Sequence, residues 1–217
     1  MVKIYKSLLP IGTVIKKEED YRSEKIISIL QEDFYNKCYL CEEKNPTAIN
    51  VEHFRSCKNN DYLKYNWSNL FYACAHCNRI KGSQYDHIID CTKDDPEKYI
   101  HIIFDSYPKH YVEVKGDRSY SIENSETCEL LDKIYNGAGT AISEFEARNL
   151  KSKISEEIKE FTEYIEDYFN ESDNKLRTLY WERIKKMLSR ESSFAGFKRS
   201  IVMESKELMQ CFGELLV

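Results

Sequence analysis

The sequence predicts an α+β fold, and three observations predict it. Two tight cysteine pairs frame short β-type runs; alternating apolar runs follow them; and in the C-terminal half apolar residues recur every three or four positions. The first half reads as a small cysteine-pinned core with a short β-hairpin behind it, the second as a helical bundle. The chain divides accordingly into an N-terminal segment and helix (1–37), the core (38–90), a hairpin and connector (91–125), and a helical, partner-binding region (126–217).

Residues 20–37 carry Ile26, Ile27, Ile29, Leu30 and Phe34 in a pattern that fits an amphipathic helix leading into the first cysteine pair. Residues 47–54 read as a short strand with Ile49 and Val51 on one face. Lys58-Asn59-Asn60-Asp61 is turn-forming, and Trp67 to Ala73 is a second apolar run, its aromatic residues suited to a core. Cys77 to Lys81 opens a helix that Gly82 ends. Ile100, Ile102 and Phe104, then Tyr111, Val112 and Val114, mark two strands about Tyr107-Pro108. From Thr140, the stripe Ile142, Phe145, Leu150, Ile154, Ile158, Phe161, Ile165 and Phe169 belongs to one long helix. Leu176, Leu179, Ile184, Met187 and Leu188 mark a second. Phe194, Phe197, Ile201, Leu208, Phe212 and Leu215 mark a third, with Ser192 or Ser193 as its N-cap.

Composition narrows the function classes. Over 217 residues, 41% hydrophobic and 32% charged side chains with only 7 Gly and 4 Pro exclude collagen-like and low-complexity chains. No apolar run reaches membrane-span or signal-peptide length, so the reading is a protein of the reducing cytoplasm with no membrane partner. The net charge of −5 argues against a chain that grips nucleic acid unaided.

The cysteines carry the sharpest signal. Cys38-Tyr-Leu-Cys41 and Cys74-Ala-His-Cys77 each let two thiolates turn onto one cation, and together they supply a tetrahedral sulfur set for structural Zn²⁺. The competing reading is four buried or redox-active thiols. Cys57, Cys91, Cys128 and Cys211 lack partners at ligand spacing and read as ordinary buried thiols, and His76 reads as a solvent-facing residue of the second knuckle.

Between and just after the knuckles stand Glu52-His53, Asn69 and Cys77-Asn78-Arg79-Ile80-Lys81. A histidine neutral near pH 7 can take a proton from water. A carboxylate and an amide oxygen together suit a hydrated divalent cation. Neighbours on a strand face opposite ways, so Glu52 and His53 share a site only where the strand ends or bends. Residues 38–83 resemble the HNH (ββα-metal) endonucleases in their zinc-clamped form. The resemblance implies that His53 is the general base and that Glu52 and Asn78 hold the catalytic Mg²⁺ or Mn²⁺. It implies further that Asn69 braces the histidine loop and that Arg79 and Lys81 contact phosphates of DNA. Two departures stand out: Glu52 where many relatives carry Asp, and Ser56-Cys57 where Pro-Lys often follows.

From Cys38 to Tyr85, six Lys/Arg face four Asp/Glu, a formal +2, so the rest of the chain carries −7. A small basic core on an acidic chain points to a partner that presents the DNA. The segments Val2-Lys3-Ile4, 91–100, 130–136 and 193–199 resemble the PtuB family, the HNH subunits of Septu anti-phage systems, which also occur in some retron-associated defence operons. That resemblance implies a controlling partner, an ABC/SMC-like ATPase of the PtuA type. A stand-alone restriction-type HNH nuclease and a non-catalytic zinc-ribbon adaptor are the alternatives.

Overall fold

In the computed structural model, which describes residues 1–216, helices and two small antiparallel sheets are mixed, as an α+β chain requires. The short α1 (Glu18–Tyr21) and α2 (Glu24–Asp33) precede the strand β1 (Ile49–His53). The helix α3 (Asp61–Tyr65), the strand β2 (Leu70–Cys74) and the helix α4 (Ala75–Lys81) follow. A hairpin of β3 (Ile100–Asp105) and β4 (Tyr111–Gly116) leads to α5 (Ile122–Asn136) and α6 (Ala141–Asn170). The chain finishes with α7 (Asn174–Leu188), α8 (Ala195–Glu204) and α9 (Lys206–Phe212). No helix among the described residues is long and apolar enough to cross a membrane.

The Ser23 hydroxyl caps α2 by accepting from Ile26 N–H at 3.4 Å. The helix stops short of residue 37 because Tyr35 and Asn36 turn left-handed (φ 55° and 56°) and swing the chain into the first cysteine pair. β1 pairs with β2 from Ile49–Cys74 at one end to His53–Leu70 at the other. One hairpin thus carries a cysteine at one end and the histidine at the other. Trp67 to Asn69 form a 3₁₀ turn rather than the start of β2, since the Asn66 side chain accepts from Ser68 N–H at 3.0 Å. β2 is buried along its whole length, which accounts for its unbroken apolar run. Gly82, at φ 50°, ends α4.

The long-helix stripe needs correction at both ends: Ile142, Phe145 and Phe169 are exposed. The first turns are carried instead by small residues. Ser143 folds back to accept from Ala138 and Thr140 N–H, and the buried Ala147 lets α6 come close to α5. Leu176 and Leu179 of α7 are also exposed, whereas Ile184 and Leu188 are buried. The third helix is two, broken where Ser205 caps α9. Neither Ser192 nor Ser193 caps α8, which starts from a left-handed Phe194 (φ 47°). The capping acceptor comes from the first knuckle: Glu42 Oε2 takes Gly196 N–H at 2.9 Å. A Cβ on Gly196 would come within 2.5 Å of Glu42 Oε1, so glycine is needed for the approach.

Buried apolar residues form two clusters. The larger joins α2, both knuckles, both hairpins, α5 and the first half of α6; the smaller comprises Phe161, Ile165, Ile184, Leu188, Val202 and Phe212. An ion pair seams the helical half to the rest, with Arg199 Nε 2.6 Å from Glu97, and within that half Lys198 Nζ lies 2.9 Å from Glu157. The 91–100 and 193–199 segments therefore meet in the interior.

Candidate metal centre and active site

Cys38, Cys41, Cys74 and Cys77 are buried, and their sulfurs lie within 4.8 Å of one another. Cys41 Sγ and Cys74 Sγ are 3.8 Å apart. Four bonds of about 2.3 Å to a tetrahedral zinc separate sulfurs by about 3.8 Å. A disulfide, at about 2.05 Å, does not fit that spacing, and all eight cysteines are free. The cluster fits a structural zinc site. The backbone holds it ready: Cys38 N–H donates to Glu43 O at 3.0 Å, and Tyr39 N–H ties the first knuckle to Tyr72 O on β2 at 3.1 Å. Cys74 Sγ accepts from Cys77 N–H at 3.4 Å and so caps α4.

His76 does not face solvent. Its Nδ1 lies 2.8 Å from Glu146 on α6 and its Nε2 2.9 Å from Ile134 O on α5, which ties the knuckle helix to the helical half.

Glu52, His53 and Asn78 line one groove of about 490 Å³. His53 is the last residue of β1, and there the strand's alternation ends, so both neighbours reach the groove. His53 Nε2 is 3.0 Å from the Lys64 carbonyl. A carbonyl only accepts, so Nε2 carries the hydrogen and Nδ1 keeps a lone pair. The Tyr21 ring packs edge-on at 5.2 Å. Burial holds the His53 pKa below the ordinary imidazole value, the Lys64 carbonyl opposing in part, so the ring is neutral near pH 7.

Asn69 is buried beneath this residue. Its Oδ1 accepts from Arg55 N–H at 2.7 Å, and its Nδ2 donates to Arg55 O and Leu63 O, both at 2.9 Å. The amide thereby ties the turn after His53 to the segment that supplies the Lys64 carbonyl. Lys6, from the N-terminal segment, holds the 3₁₀ turn that carries Asn69, donating to Trp67 O and, at 2.6 Å, to Leu70 O. Asn78 follows Cys77 directly on α4, and its side chain has no hydrogen-bond partner among the described residues.

Both sequence-predicted phosphate contacts change character. Lys81 is fully buried and is no surface cation: its Nζ lies 2.8 Å from Glu52 Oε1 and 3.0 Å from His53 O. The last turn of α4 faces the strand end, so its side chain points inward. Burial raises the Glu52 pKa, and Lys81 pulls it back. Arg79 lines the groove, but its guanidinium is bonded to Glu146. The Ser56-Cys57 departure leaves an ordered loop, because Asp86 accepts from Ser56 N–H at 2.7 Å and from its hydroxyl at 2.5 Å. Cys57 is half-buried and lines the groove rather than filling the core.

Sequence reasoning missed Glu18, Tyr21, Arg22 and Lys64, all on the groove wall. No local motif marks them, since α1 and α3 meet the hairpin only through the tertiary fold.

Fold and site together define a mixed α+β protein with a buried four-cysteine cluster that fits a metal at one end of a hairpin and a histidine–carboxylate–amide groove at the other. No known protein family, curated protein or solved structure matches the chain.

Proposed function

We propose that the groove hydrolyses DNA phosphodiester bonds, as a metal-dependent HNH endonuclease of the PtuB kind. One observation carries the reading: an imidazole with a free ring nitrogen, a carboxylate and an unpartnered amide open on one groove, set against a hairpin that a four-sulfur centre fixes. Glu52 Oε2 and the Asn78 carboxamide oxygen are hard donors of the kind that suit Mg²⁺ or Mn²⁺. Such a cation, when bound, neutralises charge on the phosphate and on the departing 3′ oxygen. His53 Nδ1 accepts the proton of the attacking water. Asn69 keeps the His53 turn in register with the Lys64 carbonyl that selects the tautomer. Arg22, Lys64 and Arg79 are the cations lining the groove, and each would exchange its present carboxylate, Glu18 or Glu146, for a phosphate.

Three cations and a net charge of −5 give weak, salt-sensitive hold on DNA by the chain alone. DNA is therefore presented by a partner, an ABC/SMC-like ATPase resembling PtuA, in a cytoplasmic anti-phage complex. The Glu52–Lys81 pair favours a second reading, a zinc-ribbon adaptor without catalysis, because it engages the carboxylate next to His53.

The test is cleavage of plasmid DNA by the zinc-loaded chain with its partner subunit, in Mg²⁺ or Mn²⁺ and in chelator. Metal-dependent nicking that falls about 10²–10⁴-fold in His53→Ala, with zinc content unchanged, is the expected result. Full cleavage by that variant removes His53 from the base role, and no metal-dependent cleavage by the unaltered chain leaves the adaptor.

A further inference from the structure

Lys81 is buried with 0% of its side chain exposed, yet it is a cation at the floor of a groove read as a metal site. It reaches Glu52 Oε1 and the His53 carbonyl from the last position of α4, so the helix and the end of β1 are joined through one ammonium. The other carboxylate lining the groove, Glu18, is paired too, with Arg22 at 2.7 Å and Lys64 at 3.5 Å. Three cations and two carboxylates line the groove, and with Lys81 behind Glu52 neither carboxylate carries uncompensated charge. A divalent cation arriving alone meets a buried positive charge one carboxylate away, where water screens poorly. A phosphodiester reverses that balance, because it brings negative charge and hard oxygen ligands of its own.

We propose that Lys81 is an internal counter-ion that makes divalent-metal binding at Glu52 and Asn78 conditional on a nucleic-acid phosphate in the groove. The inference rests on the nuclease reading and assigns Lys81 a positioning role. It fixes the carboxylate through Oε1, leaves Oε2 for the cation, and cancels the charge that would otherwise recruit metal to the idle chain.

The experiment is a Mn²⁺ titration read by the free-ion EPR signal. It uses zinc-loaded full-length chain carrying His53→Ala, with and without a short DNA duplex at low salt, and Glu52→Gln as the background for surface carboxylates. The expected result is weak binding alone and tightening of about tenfold or more with duplex, a factor that one nearby charge supplies. Adding Lys81→Met should give comparable tightening without duplex, and Lys81→Arg should keep the dependence. Damage to the fold would loosen metal, not tighten it. Tight duplex-independent binding with Lys81 in place overturns the inference and leaves the nuclease reading standing, as does a folded Lys81→Met chain that binds no more tightly. No specific Mn²⁺ in any arm, duplex included, removes the metal-dependent nuclease reading and this inference with it. Should Lys81→Met not fold, Lys81→Gln takes its place, with the same tightening without duplex expected and its absence overturning the inference.

Discussion

The hairpin region and the far end of the helical half share apolar packing but differ in what is added to it. Around β1, β2 and α4 the chain is held by four sulfurs, by an amide that braces two backbone segments, and by a buried ammonium–carboxylate pair. Where α6, α7 and α9 meet, rings and aliphatic chains fill the space: Trp181 lies 5.3 Å from Phe212, and Phe212 lies 5.3 Å from Tyr168. Both regions have apolar cores, but apolar packing is not directional, so at the hairpin polar contacts and a cysteine cluster that fits a metal are added to it.

Removing a metal ligand separates the two regions most sharply. Cys74 is both a cluster sulfur and the cap of α4, and the next residue but three is Asn78. Structural zinc contributes about 10–16 kcal/mol of binding free energy in small domains, and Cys74→Ser should forfeit enough of it to lower stability by about 5 kcal/mol or more. Metal analysis and thermal unfolding read this directly. A Cys74→Ser chain that keeps one zinc and its melting temperature would show that the hairpin does not depend on the cluster.

The counterpart lies in the smaller core. Phe161 is fully buried at its centre, and Phe161→Ala should cost about 3–5 kcal/mol through lost contacts and a cavity. Zinc content and the shielding of the four cysteines from thiol reagents should not change. Loss of zinc in Phe161→Ala would mean that the two cores are one cooperative unit and that the contrast between them is only one of composition.

The same contrast decides what was legible in the sequence. The cysteine spacing needed no tertiary knowledge, since two residues between ligands is a local property, and the structure brings all four sulfurs together. The strand β1, both strands of the second hairpin and the end of α4 at Gly82 were likewise readable from alternation and a left-handed glycine, whereas β2 shows only as an unbroken apolar run. The helix α5 falls only within the general helical reading of 126–217 and is not picked out by itself, because its buried face mixes Asn124, Thr127 and Cys128 with Leu130 and Leu131, which blurs the apolar stripe. The α6 stripe extended too far in both directions, since periodicity reports a helix but not where its neighbours stop. Lys81 was misjudged for a similar reason. Beside two exposed-looking neighbours a lysine reads as surface, and only the packing of α4 against β1 shows that its side chain runs inward to Glu52. The groove wall from α1 and α3 lay beyond reach altogether, because its members meet the hairpin across long stretches of chain.

The smallest expected effect concerns protons, and it falls on the hairpin region alone. Burial lowers the pKa of His53, so the folded chain binds fewer protons there than the unfolded chain at mildly acidic pH. By linkage, the stability tied to this group is complete above the unfolded value of about 6.5 and declines as pH falls from there through the folded pKa. Ring-proton NMR of His53 should therefore show a midpoint below about 6.5, and the acid limb of the cleavage rate should lie in the same place. His53→Asn should flatten the stability profile across that window, whereas Phe161→Ala should lower it at every pH by the same amount. A His53 midpoint above 6.5 would mean that the ring faces solvent or a carboxylate, and the neutral-base geometry set by the Lys64 carbonyl would not hold.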